Sequence, residues 1–249
     1  AILDHQPLET ALDYLQGLGV QAVELGCGGT AGHSHANPEI LLNDAGALRE
    51  FQRTIDRHHM EISALSCHGN PVHPNPETAR AYDKTIRDTI LLAQRLGLRR
   101  INTFSGCPGS DPDAHYPNWV TCPWPEDFQE VLDYQWNQVL IPYWRETVAF
   151  AAEHGVQIAL EMHPGFCVYH TESLLRLRRA VGEQIGANLD PSHLIWQGMD
   201  PIAVIRALKG AIFHFHAKDT KIDPYNTAVN GVLDTKPYRE QETRSWNFR

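Results

Sequence analysis

Apolar and polar positions fall into alternating blocks along this chain. Six short apolar or β-branched runs stand at 22–26 (AVELG), 61–67 (EISALSC), 100–105 (RINTFS), 157–162 (QIALEM), 185–189 (IGANL) and 211–216 (AIFHFH). Turns rich in Gly, Pro, His or Asn follow them, and the stretches 7–18, 38–59, 76–96, 128–154, 171–180 and 201–208 carry apolar residues at helical spacing. Strand alternating with helix predicts a parallel sheet whose two faces are covered by helices.

Two architectures satisfy that rhythm, and they differ in where polar residues should gather. A doubly wound sheet collects its functional groups at one switch point, usually beside a Gly-rich phosphate turn. The GCGG after the first run lacks that spacing. Instead, polar residues follow nearly every run: Glu24, His68, Ser105, Glu161 with His163, Asp190 with His193, and His216 with Lys218 and Asp219. Contributions from many strand ends point to a (β/α)8 TIM barrel with its site at the C-terminal rim. Residues 1–249 then form one domain. The opening AILD reads as the tail of a first strand, an eighth strand is absent from the sequence, and the Pro-, Gly- and Trp-rich segment 106–124 reads as an inserted lid over the barrel mouth.

Composition narrows the partners. Thirty acidic against 21 basic residues give a formal charge of −9, with the basic ones scattered, so a phosphate backbone would be repelled. No apolar run approaches the roughly 18 residues of a membrane span, and the N-terminus lacks a leader pattern; the expectation is a cytoplasmic protein that binds a small molecule. Self-association stays open. The five cysteines are an odd number with no C-x-x-C pair and read as reduced packing residues.

Three strand ends carry a candidate metal centre: Glu161 in ALEMHPG, Asp190 in NLDPSH and His216 in FHFHAKD. A carboxylate near the end of an apolar strand is costly to bury unless it is paired or coordinated. Two carboxylates and an imidazole suit one divalent ion, Mn²⁺ before Mg²⁺, Co²⁺, Fe²⁺ or Zn²⁺. Around them, His68, His193 and Lys218 are candidate substrate contacts. Glu24 reads equally as a contact or as a buried paired carboxylate. His163 reads as a partner orienting Glu161 or as a loop residue, and His214 lies on the same strand face as His216. Trp119, Trp124 and Tyr116 of the insertion are candidates to stack on a sugar ring, or simply lid packing.

The order V-E-L-G, S-C-H-G-N-P, E-M-H-P, N-x-D-P-S-H, H-x-H-A-K-D resembles the sugar phosphate isomerase/epimerase family of xylose isomerase-like barrels, over almost the whole chain. The resemblance implies that Glu161, Asp190 and His216 are metal ligands, that His193 contacts a substrate oxygen, and that a glutamate on the eighth strand is the fourth ligand and second acid/base. It implies a sugar isomerase or epimerase in which Glu161 removes the proton next to a carbonyl and the cation stabilises the enediolate. Three other readings compete. One is a metal-dependent lyase on 3-keto-glycosides, resembling C-glycoside deglycosidases. Another is a non-catalytic sugar-binding barrel. The third, an endonuclease IV-like phosphodiesterase, is disfavoured by the negative charge. Few basic residues lie near the strand ends, chiefly Lys218, so no phosphate on the substrate is required.

Overall fold

A computed structural model describes residues 2–249. Its chain order is α1 (Leu8–Gly17), β1 (Ala22–Gly26), α2 (Pro38–Asn43), α3 (Ala45–Arg57), β2 (Glu61–Ser66), α4 (Pro76–Arg95), β3 (Arg100–Thr103), α5 (Asp127–Asp133), α6 (Ile141–Glu153), β4 (Gln157–Glu161), α7 (Thr171–Val181), β5 (Ile185–Leu189), α8 (Ser192–Ile195), α9 (Pro201–Ala207), β6 (Ile212–Phe215), β7 (Thr220–Ile222), α10 (Pro224–Asn230) and β8 (Trp246–Phe248). Strands β1 to β6 form one parallel sheet in sequence order, each beside its neighbour in the chain. This is the curved wall of a β/α barrel, with Glu161, Asp190, His193 and His216 at or just past its C-terminal edge.

Local chemistry explains the helix starts. Four helices begin at an Asn-Pro or Asp-Pro pair: Asn37-Pro38, Asn75-Pro76, Asp200-Pro201 and Asp223-Pro224. In each, the Asn or Asp side chain accepts a backbone N–H of the first turn, and proline supplies a helical φ where no N–H is needed. The single helix expected over 38–59 is instead two. Asp44 breaks it: its Oδ1 accepts from Gly46 N at 2.7 Å and Ala47 N at 3.0 Å, capping a new helix. Between α5 and α6 the helix widens into a π-helical stretch, Tyr134–Leu140, which buries Gln135 and Trp136.

The core lies between sheet and helices, with Leu65, Ile86, Ile90, Ile101, Leu140, Trp144, Ile158 and Leu160 all fully covered. The Trp144 indole N–H donates to Ser105 O at 2.9 Å, tying α6 to the end of β3.

One expectation needs correction. Residues 2–4 of the AILD read as a strand tail lie in a turn, and Ala1 lies outside the described residues. In the C-terminal stretch β7 and β8 pair antiparallel, Thr220 with Phe248 and Ile222 with Trp246.

Candidate metal centre at the strand ends

The register of the sheet decides which side chains meet. Glu161 on β4 pairs with Asn188 on β5, and Asn188 pairs with His214 on β6, so these residues form one row at the rim. Residues two apart on a strand share a face, which adds Asp190 and His216 to the row's upper side.

Glu161 is the hub and is only 6% exposed. Its Oε2 lies 3.1 Å from His68 Nε2, 3.2 Å from His216 Nδ1 and 3.3 Å from Asn188 Nδ2; its Oε1 lies 3.0 Å from His193 Nε2. Burial pushes its carboxyl up, but the hydrogen bonds from His193, His216 and His68 outweigh burial and hold it well below the usual carboxylate range. Asp190 is equally buried. Its Oδ1 accepts from Ser192 N and Oγ at 2.9 and 2.6 Å, and its Oδ2 faces His193 Nε2 at 3.3 Å and Lys218 Nζ at 3.8 Å. The Lys218 ammonium also sits 3.6 Å over the Phe248 ring.

A second carboxylate cluster stands on the β1 side. Glu24 Oε2 accepts from Asn102 Nδ2 at 2.8 Å and lies 2.9 Å from His214 Nε2 and 2.8 Å from His216 Nε2. Burial again opposes ionisation, and the hydrogen bonds from His214 and His216 prevail, so the carboxyl is held well below its ordinary range. Of the two readings of Glu24, this geometry is that of the paired carboxylate. For His216, burial lowers the pKa, but hydrogen bonds to Glu161 and Glu24 overcome it and raise it to about 10. His163 goes the other way, lowered to about 4 by burial and by the neighbouring His193.

The residues fit a divalent cation. One donor atom from each of Glu161, Asp190 and His216 lies within 4.8 Å of the other two, and ligands about 2.0–2.4 Å from a common ion are separated by at most about twice that distance. Two further groups meet the same test, Glu161 with His163 and His193, and Glu24 with His214 and His216. Buried beside Glu161, Asn188 Oδ1 has no hydrogen-bond partner, an unsatisfied acceptor of the kind a cation or its water would serve.

The structure thus brings Glu24, His68, Glu161, Asp190, His193, His216 and Lys218 into one constellation. Trp119 is near it, lining a cavity shared with His163 and His193. Trp124 is not: it is 69% exposed and lines no described cavity, and Tyr116 is 80% exposed. The segment itself is held by Gln135, whose Nε2 donates to the Pro108, Gly109 and Asn118 carbonyls. Asp219 turns back to its own backbone, accepting from Thr220 N at 2.7 Å. Sequence reasoning missed Asn188 and Asn102, although both sit in runs whose other members were noted. An amide inside an apolar strand was the available signal. It also missed Phe248, which no periodicity marked.

A parallel β/α sheet with a buried carboxylate–imidazole cluster at its C-terminal edge defines a β/α-barrel architecture with a polar centre at its rim. The profile of the xylose isomerase-like TIM barrels matches residues 12–240, and the chain belongs to that family. It is 41% identical over 249 residues to the uncharacterized protein YfiH of Bacillus subtilis (strain 168), covering 99% of this chain and 79% of YfiH. Among solved structures, a D-tagatose 3-epimerase-like protein aligns with TM-score 0.61 at 22% identity, over 86% of this chain and 73% of that one. A xylose isomerase-like TIM barrel protein from Mycobacterium smegmatis, in complex with magnesium, aligns with TM-score 0.62 at 16% identity, over 90% and 71%. Among the described residues no helix is long and apolar enough to cross a membrane.

Proposed function

We propose that this chain is a divalent-metal-dependent isomerase or epimerase of sugars or sugar derivatives, with residues 1–249 as one barrel domain and 106–124 as its lid. The observation that carries the reading is the buried Glu161 carboxylate, met by imidazoles from three other places in the chain while Asp190 and His216 offer donor atoms beside it. The family, and the likeness to an epimerase-like structure and a magnesium-bound barrel, support the same direction.

Glu161, Asp190 and His216 would hold the cation, with Mn²⁺ our first choice. When bound, it supplies Lewis acidity toward the oxygens of a carbonyl and its neighbouring hydroxyl. Glu161, ionised at neutral pH, takes the proton from the carbon beside the carbonyl. His193 and Lys218 donate hydrogen bonds to substrate oxygens, and His68 holds the Glu161 carboxylate in place. If Glu161 returns the proton to the neighbouring carbon, the sugar is isomerised; delivery from the opposite face by a second acid inverts the centre instead.

The test is hydrogen exchange. Incubated in deuterated solvent with Mn²⁺ or Mg²⁺ and a panel of aldoses, ketoses and 3-keto-sugars, the protein should place deuterium at one carbon next to a carbonyl. Incorporation into no member of the panel would defeat the reading.

A further inference from the structure

The polar centre does not end at His193. The imidazole that faces Glu161 Oε1 at 3.0 Å also lines a cavity of about 260 Å³, whose other walls include Trp119, Trp196, Trp246, Tyr238 and His163. Trp196 and Trp246 stack at 4.5 Å with their planes 5° apart, so this wall is a stacked pair of indoles joining the C-terminal end of α8 to β8. The size is below the roughly 300–1,000 Å³ of pockets for drug-sized ligands and suits one ring.

Three features specify the ring's chemistry. Aromatic faces suit the C–H face of a sugar. His163 Nδ1 lies 2.6 Å from Pro164 O, so its proton belongs on Nδ1 and Nε2 is left as an acceptor for a hydroxyl. Finally, the walls contain no lysine or arginine; Asp234 is paired with Lys236 Nζ at 2.9 Å and the Arg244 guanidinium is stacked over the Tyr238 and Trp246 rings, so no free cation lines the cavity for a phosphate or a uronate.

We propose that this cavity is a subsite for a second, uncharged, hydroxyl-bearing sugar ring, so that the substrate is a glycosidically linked sugar rather than a free monosaccharide. The proposal rests on the reading of the Glu161 centre as a sugar site. His193 then stands between the two rings, touching the reacting unit on one side and its linked partner on the other.

The experiment uses the full chain loaded with Mg²⁺, titrated by tryptophan fluorescence and saturation-transfer NMR. The probes are glucose, galactose, glucose 6-phosphate, maltose, cellobiose, gentiobiose, lactose, sucrose and trehalose. At least one disaccharide should bind about fivefold or more tightly than either monosaccharide, with saturation reaching both rings, and glucose 6-phosphate should gain less than that. Leu233→Trp and, separately, Thr235→Trp fill the cavity from its exposed rim and should bring that advantage below about fivefold. A panel with no such advantage, or an advantage that survives both substitutions, overturns the subsite. Deuterium exchange in the same sugars is scored apart: tight disaccharide binding without exchange defeats the proton-transfer reading and leaves the subsite standing.

Discussion

Glu24 Oε2 lies 2.8 Å from His216 Nε2 across 192 positions of sequence, and the two residues come from β1 and the end of β6, the outermost strands of the six-stranded sheet. One carboxylate–imidazole pair therefore bridges the two edges of the barrel wall. It also fixes the roles of the His216 nitrogens. With Nε2 engaged by Glu24, Nδ1, 3.2 Å from Glu161 Oε2, is the nitrogen left facing the candidate cation site.

Glu24→Gln should accordingly weaken cation binding by about 10–100-fold, the usual cost of losing a carboxylate behind a metal-ligating histidine. Isothermal titration with Mn²⁺ measures it, with circular dichroism as the check on folding. An unchanged affinity would make Glu24 a structural pair without influence on the site.

Glu161→Gln should be more severe in exchange than in binding. The amide keeps an oxygen toward the site but cannot accept a proton, so deuterium incorporation should fall by about 10²–10⁴-fold. His193→Ala should lose less exchange and raise KM more, since it removes a donor to the substrate rather than the base. Equal losses of exchange in the two variants would put the base elsewhere.

Asn70 clamps the start of the 106–124 segment from β2's loop. Its Nδ2 donates to Cys107 O at 2.8 Å while its Oδ1 accepts from Cys107 N at 3.0 Å. Asn70→Ala leaves that buried peptide unit without either partner, at about 1–3 kcal/mol. Amide exchange should speed up selectively across 106–124, and chymotrypsin should cut there first, after Trp119. Uniformly faster exchange would mean that Asn70 serves the whole fold.

His58, at the C-terminal end of α3, makes stability depend on pH. Its Nδ1 donates to Thr54 O at 2.7 Å and its Nε2 lies 3.0 Å from Asp13 Oδ1, an arrangement that satisfies both donors of the protonated ring. The backbone bond to Thr54 and, after burial's opposing effect, the Asp13 carboxylate raise its pKa above the ordinary value of 6.5. A pKa higher when folded than when unfolded adds stability fully present below pH 6.5 and lost as pH rises through the folded value. Urea midpoints of the wild type should thus decline from pH 6 to 9 relative to His58→Gln. Parallel profiles would remove His58 from the account.

The parallel sheet was legible because each strand is a short, nearly continuous apolar run. All six runs became strands, each within two residues of its expected bounds. The Glu161, Asp190 and His216 convergence was legible for a related reason: a strand end in a barrel points its next residue at a common rim. What escaped needed contacts that leave no period in sequence. Asp44 breaks a helix through two hydrogen bonds from one oxygen, and the three-residue strands Thr220–Ile222 and Trp246–Phe248 are too short to show alternation. The exposure of Trp124 was not legible either, because an aromatic in a loop can turn outward as readily as inward, and composition does not choose.

Phe248 contributes no hydrogen bond to the centre, yet its ring covers the Lys218 ammonium at 3.6 Å and meets the His193 ring edge-on at 5.2 Å. Its influence is on the medium. By replacing water on that flank, it lowers the local dielectric in which Asp190, Lys218 and Glu161 sense one another, and charge interactions strengthen as that constant falls. A strand end that supplies no ligand is thus part of how strongly the centre holds charge.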